Sequence, residues 1–272
     1  MSQESGHIYT HGHHESVLRS HTWRTAQNSA AYILPHLKPN MTILDVGCGP
    51  GTISVDLAKS YVPDGHVTGL DVPDIMDKAR EHAVSKGVTN ITFTSGDAHN
   101  LPFPDASFDV VHAHQVLQHV AEPVQVLREM RRVTKPGGLV ATRENDTSAM
   151  VWWPKTEGLE EWHQGYMKVA RANGGEPEAG RRLHVWAKKA GYPAESLTLS
   201  VGTWCFYTPE ERAWWGGLWA DRTLSSNFAS TALKNGIYTQ EGLEKVAEVW
   251  RQWAADEDGW CSLIHGELIA KV

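Results

Sequence analysis

A carboxylate followed by three alternating glycines is the part of the sequence with the clearest chemistry. The segment Asp45-Val46-Gly47-Cys48-Gly49-Pro50-Gly51 directly follows the apolar run Met41-Thr42-Ile43-Leu44. Because glycine has no Cβ, such a loop can turn tightly and let a ligand lie against the backbone. A helix that begins near Thr52 would point its free N–H groups at the same place. The pattern predicts a strand, a loop and a helix that together hold a small cofactor.

The spacing of these glycines argues against a dinucleotide. The dinucleotide fingerprint G-x-G-x-x-G would place its third glycine at position 52, but Thr52 stands there and the glycine comes one residue early. Asp45 at the loop entrance would repel a pyrophosphate, whereas it suits a ligand that carries an ammonium or sulfonium group. An NAD-dependent oxidoreductase is therefore the less favoured alternative.

The glycine loop resembles the first motif of class I S-adenosylmethionine-dependent methyltransferases, especially the branch of ubiquinone- and menaquinone-biosynthesis methyltransferases. Two further segments are similar to the same family, Gly96-Asp97-Ala98-His99-Asn100-Leu101-Pro102-Phe103 and Lys135-Pro136-Gly137-Gly138. The likeness covers residues 41–142 well and little outside them. It implies S-adenosylmethionine as the cofactor and methyl transfer to a small molecule as the activity. A cofactor-bound enzyme that does not methylate, or a partner subunit, is the alternative.

Acidic residues at the predicted strand ends are candidate cofactor ligands. Asp71 lies twenty residues after Gly51, where a carboxylate can accept two hydrogen bonds from a ribose diol. Val72 beside it is predicted to pack on the adenine. The resemblance implies that Asp97 accepts from the adenine amino group and that the Ala98 N–H donates to the ring. The predicted cofactor-binding residues are Asp45, Gly47, Cys48, Gly49, Asp71, Val72, Asp97, Ala98, His114 and Gln115.

Three histidines follow one another within eight residues, at His112, His114 and His119. A zinc site would need thiolate or carboxylate partners at a defined spacing, so no metal ion is predicted. Strand alternation puts His112 and His114 on one side and aims His114-Gln115 at the cleft. The quinone-ring methyltransferases have Arg-Asn here, so this chain departs from the family pattern and its substrate stays open. His114 is predicted either to line the methionine moiety or to act as a general base.

Two other residues are candidate bases for an acceptor that loses a proton. The turn expected after the fifth strand, Arg143-Glu144-Asn145-Asp146, carries Asp146, and the helix expected to follow carries His163. Methyl transfer is an in-line displacement in which positioning supplies much of the catalysis, so a base is needed only for some acceptors. His114, Asp146 and His163 are therefore the predicted catalytic residues.

Strand and helix patterns alternate along the chain, which is typical of a parallel sheet covered on both faces. Strands are predicted at 42–46, 66–71, 91–94, 108–113, 139–142, 196–206 and 261–272, and helices at 22–37, 52–60, 73–86 and 123–133. The last two strands resemble the antiparallel edge of this fold. We therefore predict an α/β class, with a doubly wound, mostly parallel, seven-stranded, Rossmann-like sheet and helical insertions over the cleft.

The domain organisation follows from the same pattern. Residues 1–40 are predicted to be an N-terminal arm with a lead-in helix, and residues 41–272 one domain with cover insertions at about 143–196 and 205–259. The histidine-rich stretch at residues 9–14 is predicted to be a mobile polar arm, with a lid over the cofactor and a nickel or zinc clasp as the alternatives.

All twelve tryptophans lie outside residues 41–142. Aliphatic residues usually fill the core of a two-layer sheet, so the tryptophans belong to the insertions. They form either an aromatic wall over the cleft or the packing face of amphipathic helices. With either alternative, an apolar or aromatic small molecule is the favoured substrate.

Composition excludes several classes of partner. The net charge of −7 provides no basic surface for nucleic acid, and no run of 18 apolar residues could span a bilayer. The N-terminus lacks the basic and apolar regions of a signal peptide, and three scattered cysteines predict reduced thiols, so a cytoplasmic location is expected. A small-molecule substrate is the predicted partner, and the sequence leaves undecided whether the chain forms a homodimer.

Overall fold

The computed structural model describes residues 15–272, from Glu15 to the last residue. The predicted arm or lid at residues 9–14 therefore lies outside the described residues. Among the described helices, none combines the length and the apolar character that a membrane crossing requires.

Seven strands form one sheet in the spatial order β3-β2-β1-β4-β5-β7-β6. The first five strands run parallel, whereas β7 lies antiparallel between β5 and β6. This confirms the predicted fold. The strands are β1 (Thr42–Val46), β2 (His66–Asp71), β3 (Ile91–Ser95), β4 (Phe108–His114), β5 (Thr134–Trp153), β6 (Leu197–Phe206) and β7 (Trp260–Lys271).

Helices cover both faces of this sheet and fill the two long connections near its antiparallel edge. They are α1 (Glu15–Thr22), α2 (Ala26–Ser29), α3 (Thr52–Asp56), α4 (Met76–Ser85), α5 (Pro123–Val133), α6 (Glu157–Ala172), α7 (Ala179–Lys189), α8 (Pro209–Ser225), α9 (Asn227–Lys234) and α10 (Gln240–Ala255). Strands β1 and β4 are buried along almost their whole length, as expected for central strands with helices on both sides.

The register of the central strands places the predicted site residues level with one another. Val46 at the end of β1 pairs with Leu70 of β2 and with Ala113 of β4. The residues that follow these three positions are Gly47, Asp71 and His114. They therefore emerge side by side at the carboxyl edge of the sheet, next to the point where the strand order reverses between β1 and β4.

The single lead-in helix predicted at 22–37 is wrong. Helix α1 ends at Thr22, α2 has only four residues, and a single 3-10 turn covers Leu34–His36. The chain is extended at Thr25, whose side chain accepts from the Asn28 N–H while the Asn28 side chain accepts from the Thr25 N–H. This reciprocal cap starts a new helix instead of continuing the first one.

The fifth strand is much longer than the predicted 139–142. Beyond Thr142 it keeps pairing with β7, from Arg143 opposite Glu267 to Trp153 opposite Trp260, with one irregularity between Asp146 and Val151. The charged segment at residues 143–146 was predicted to be a turn because charged residues usually face water. It is strand instead, since β7 supplies backbone partners that a local pattern does not show.

The tryptophans build a separate hydrophobic core between α6, α8, α9, α10 and the antiparallel edge of the sheet. The rings of Trp162 and Trp250 lie 4.7 Å apart in an edge-to-face contact, and those of Trp162 and Trp219 lie 4.8 Å apart. We call this group the tryptophan core. Its tryptophans are Trp152, Trp162, Trp204, Trp215, Trp219, Trp250 and Trp253.

Candidate active site

A cavity of about 920 Å³ opens at the carboxyl ends of the first four strands. Its walls come from the loops that follow β1, β2, β3 and β4, together with the segment between α1 and α2. All the predicted cofactor-binding residues line it, namely Asp45, Gly47, Cys48, Gly49, Asp71, Val72, Asp97, Ala98, His114 and Gln115. The structure thus brings together residues that the sequence separates by as many as 70 positions.

The loop after β1 needs glycine for two different reasons. Gly47 has a φ of 69°, and a Cβ there would lie 2.3 Å from Cγ2 of Val116, so no side chain fits. Gly49 has a φ of 55°, and a Cβ there would lie against no atom closer than 3.9 Å, in the open part of the cavity. A larger residue at position 49 would therefore be strained and would also occupy ligand space.

Asp71 fastens this loop to the end of β2. Its Oδ2 accepts from the Gly49 N–H at 2.7 Å, and its Oδ1 accepts from the Val72 N–H at 2.7 Å. Each carboxylate oxygen has a second lone pair, so the half-buried side chain can still accept two hydrogen bonds from a diol. Its placement agrees with the predicted ribose role, which stays a prediction.

Asp45 lies deeper than Asp71 and Asp97 and has protein partners on both oxygens. It is 2% exposed, its Oδ1 lies 2.8 Å from Nδ1 of His112, and its Oδ2 accepts from the Ser54 hydroxyl. His112 is therefore beneath the loop, bound to Asp45. These contacts show Asp45 supporting the loop, and its predicted role toward a cationic ligand group stays a prediction.

Asp97, the predicted hydrogen-bond acceptor for the adenine amino group, lies near the surface in the loop after β3. The Asp97 side chain is 67% exposed, and its Oδ1 accepts from the His99 N–H at 2.9 Å and lies 2.8 Å from His99 Nδ1. These contacts hold the carboxylate beside Ala98 at the rim of the cavity. The predicted adenine contacts of both residues stay predictions.

His114 ends β4 and is one of the residues that line the cavity. It is 4% exposed, and neither ring nitrogen has a hydrogen-bond partner among the described residues. Burial lowers its pKa well below the usual value, and the Arg24 and Arg143 guanidiniums lower it further. The imidazole is therefore neutral near pH 7, so it can donate or accept a hydrogen bond but holds a transferred proton poorly.

Gln115 follows in the left-handed region, with a φ of 55°. Its Oε1 accepts from the Arg24 guanidinium, and its amide nitrogen lies 3.0 Å from Nε2 of His265 on β7. Gln115 thus connects the segment between α1 and α2 to the antiparallel edge of the sheet.

The structure does not bring the other two predicted catalytic residues to this cavity. Asp146 lies within β5, where it accepts from Nε and Nη2 of Arg181 at 2.5 and 2.9 Å. His163 lies on α6 with its Nε2 2.6 Å from the carbonyl oxygen of Thr147. Because β5 continues as strand past Thr142, neither residue follows a strand end at the cavity. Neither enters the function proposed below.

Sequence reasoning missed several residues of the cavity, among them His21, Arg24 and His119. The carbonyl oxygen of His21 accepts from the Thr52 hydroxyl at 3.1 Å, so the end of α1 lies against the glycine loop. Burial lowers the pKa of His119 to about 3, and the Arg24 and Arg222 guanidiniums act in the same direction. No sequence signal pointed to His21 or Arg24, since both depend on the break between α1 and α2.

Glu144 is a further residue that sequence reasoning missed. It binds the backbone of residues 116–118, in the loop after β4 that forms one wall of the cavity. Its carboxylate is fully buried and accepts from the backbone N–H groups of Val116, Leu117 and Gln118 at 2.9–3.1 Å. The Thr142 hydroxyl is a fourth donor, at 3.2 Å. Burial nevertheless raises the pKa of Glu144 to about 7, against the lowering effect of these four donors.

Replacing Glu144 by glutamine should change how stability depends on pH. The pKa of Glu144 is raised from the usual 4.5 to about 7 in the folded state, so its contribution to stability is full below about 4.5 and is lost as pH rises through about 7. We expect the free energy of unfolding to fall over this range less steeply in Glu144→Gln than in the wild type. Urea unfolding at a series of pH values measures it. Glu257→Gln, at an exposed carboxylate, is the control, and an unchanged slope in Glu144→Gln would contradict the interpretation.

No tryptophan stands among the described residues that line the cavity. The predicted aromatic wall over the cleft is therefore wrong. The tryptophans form the packing face of the helices instead, which was the alternative prediction. The described residues also contain no group of three or more histidine, cysteine, aspartate or glutamate side chains placed to hold a metal ion.

Comparison with known proteins identifies the family. A family model described as a methyltransferase domain matches residues 37–193, which is more than half of the chain. An uncharacterized methyltransferase of Schizosaccharomyces pombe is 38% identical over 280 residues, covering 100% of this chain and 99% of that protein. The chain belongs to the methyltransferase family. This membership confirms the predicted class I S-adenosylmethionine-dependent methyltransferase and its cofactor.

Two more distant similarities concern part of the chain and its fold. Demethylmenaquinone methyltransferase of Listeria monocytogenes is 40% identical over 121 residues, 44% of this chain and 51% of that protein. The structure of a Haemonchus contortus phosphoethanolamine N-methyltransferase superposes with a TM-score of 0.53 at 19% identity, covering 89% of this chain and 52% of that one. The second similarity shows a shared fold alone.

Proposed function

We propose that this methyltransferase transfers a methyl group from S-adenosylmethionine to a small, apolar or aromatic metabolite that enters the same cavity. The observation that carries the proposal is the cavity after β1–β4, where a glycine loop, Asp71 and His114 meet; the ring nitrogens of His114 have no hydrogen-bond partner among the described residues. Its volume lies within the range of small-molecule sites.

The residues present fit the cofactor by their own chemistry. A side chain at position 47 or 49 would be strained at its positive φ, and at 49 it would enter the cavity, so the backbone is left bare for a ligand. When bound, S-adenosylmethionine supplies a methyl group activated by a sulfonium. The proposed ligands are Asp71 for the ribose diol, Asp97 and Ala98 for the adenine, and the glycine loop for the amino acid part.

The cavity wall that would contact the apolar part of the acceptor is aliphatic, whereas the sequence had predicted an aromatic one. Val116, Val120 and Ala121 line the cavity, after the end of β4. An apolar acceptor body placed against them would be shielded from water and held in one orientation, which favours an in-line displacement. The proposal of an apolar or aromatic acceptor rests on this wall, since the tryptophans lie elsewhere. A cytoplasmic location and a homodimer stay predictions from the sequence.

Calorimetry with S-adenosylhomocysteine, the demethylated cofactor, tests the cofactor site directly. We expect one site per chain with a dissociation constant in roughly the micromolar range. Mass spectrometry of a metabolite extract, incubated with the protein and methyl-labelled S-adenosylmethionine, then tests the transfer. Absence of binding would reject the cofactor site. Tight binding with no labelled metabolite in any extract would favour the non-methylating alternative.

A further inference from the structure

Two guanidiniums lie near the Trp204 ring, next to the end of the cavity that Arg24 and His114 line. The guanidinium carbons of Arg24 and Arg143 lie 5.7 and 5.2 Å from the ring centre of Trp204. The same ring lies 5.8 Å from the His114 ring and 4.4 Å from the His265 ring. Two permanent positive charges therefore lie close to the buried imidazole that faces the cavity.

Two of the carboxylates near this end are bound to basic side chains. Glu267 on β7 lies 3.4 Å from Arg143, and Asp45 is bound to His112 beneath the loop. The other carboxylates that line the cavity among the described residues come after β2, after β3 and directly before α5, and they are Asp71, Asp97 and Glu122. Burial lowers the pKa of His114 most, and the nearby Arg24 and Arg143 guanidiniums lower it further.

His114 is the observation that points to a ligand at this end. It is more than nine-tenths buried, it lines the cavity, and both of its ring nitrogens lack a partner among the described residues. A buried polar group without a partner is costly, so a ligand hydrogen bond there is expected to be favourable. A neutral imidazole beside two guanidiniums can donate its N–H to an anionic oxygen.

We propose that Arg24 and His114 bind the methyl acceptor as an oxyanion, which makes the acceptor a carboxylic acid or an acidic phenol or enol. This inference rests on the function proposed above and specifies its substrate class. Arg143 lies near the Trp204 ring without lining the cavity, whereas Gln115 accepts from the Arg24 guanidinium at the cavity wall. The apolar wall at Val116 and Val120 would take the body of the same molecule.

The transfer step then needs no base. The acceptor oxygen forms a bond to the methyl carbon while the carbon–sulfur bond breaks, and that electron pair stays on sulfur. Because the acceptor enters already deprotonated, no proton leaves it in this step. The products are a methyl ester or ether and S-adenosylhomocysteine. This chemistry suits a histidine that holds a transferred proton poorly, because His114 only donates a hydrogen bond.

The probe for this subsite is 4-nitrophenol, whose phenolate form alone is yellow. It is titrated against pH in the presence of protein saturated with S-adenosylhomocysteine. We expect the pKa of the bound phenol to fall by about one unit or more, the effect of an adjacent opposite charge. Arg24→Met should remove most of this shift, whereas Arg24→Lys should keep part of it. Arg251→Met, at an exposed arginine on α10 paired with Glu248, is the matched control.

Separate results would overturn the proposal. One is the absence of phenol binding at millimolar concentration, or binding with an unshifted or raised pKa, to protein that calorimetry shows to be loaded. Another would be evidence that Arg24 binds the carboxylate of the cofactor and not the acceptor. If Arg24→Met weakens S-adenosylhomocysteine at least tenfold but leaves methylthioadenosine, which lacks the amino acid part, unchanged, Arg24 serves the cofactor. Failure of the unmodified protein to bind S-adenosylhomocysteine would instead reject the proposed function.

Discussion

Asp71→Ala is expected to lower the affinity for S-adenosylhomocysteine by about 100-fold. The variant loses the acceptors for the ribose diol and leaves the N–H groups of Gly49 and Val72 without their carboxylate. Hydrogen bonds to a charged group contribute about 1.5–3 kcal/mol each, so losing two of them accounts for about 3 kcal/mol or more. Isothermal titration calorimetry of the variant and the wild type measures the change.

Asp74→Ala is the matched control for this experiment. Asp74 is an exposed acidic residue three positions further on, in the turn that precedes α4, and it does not line the cavity. Its removal changes the net charge by the same amount, so an effect confined to Asp71→Ala cannot come from charge alone. Affinity within threefold of the wild type in Asp71→Ala, with an unchanged melting temperature, would reject the ribose role.

Trp250→Ala is expected to destabilise the protein by about 3–5 kcal/mol, the usual cost of removing a large buried aromatic side chain. Trp250 has no exposed surface, and its ring lies 4.7 Å from Trp162 and 5.5 Å from Trp253. Alanine would leave a cavity at the centre of the tryptophan core, where three helices fix the surrounding side chains. Urea unfolding followed by circular dichroism measures the free energy.

Two further tryptophan variants make this prediction specific. Trp260→Ala, at a ring that is 38% exposed, should cost about 1 kcal/mol or less. Trp250→Phe should cost much less than Trp250→Ala, because Nε1 of Trp250 has no partner among the described residues and only volume is lost. A Trp250→Ala variant as stable as Trp260→Ala would show that the tryptophan core relaxes around the gap.

Local patterns were enough to predict the sheet and the cofactor loop. Strands β1, β2 and β4 are short segments of five to seven residues, and each site residue predicted at their ends lines the cavity. The reason is that parallel strands have their carboxyl ends at one edge of the sheet. Residues that directly follow these strands in the sequence therefore lie close together at that edge. Gly47 illustrates this, since it directly follows β1 and has the positive φ of the loop that leads into α3.

Residues whose roles depend on distant partners could not be predicted in this way. Arg24 reaches the cavity only because the chain breaks at Thr25, and its partner Gln115 is 91 positions away. Glu144 belonged to a segment predicted to be a turn, yet this segment pairs with β7 as a strand. The buried Glu144 carboxylate then accepts from the backbone N–H groups of the loop after β4, which lines the cavity. Asp146 lies in the same strand as Glu144 and His163 lies on α6, so neither Asp146 nor His163 reaches the cavity. At Glu144 and Asp146, pairing with β7 overrode the local charge pattern.

The placement of the tryptophans determines what the protein's own fluorescence would report. Seven indoles are buried together between α6, α8, α9, α10 and the sheet edge, and no indole lines the cavity. Emission from the folded chain should therefore follow the packing of these helices and respond little to a colourless ligand. If denaturant changes the emission before it releases S-adenosylhomocysteine, the helical cover and the nucleotide half come apart as separate cooperative units.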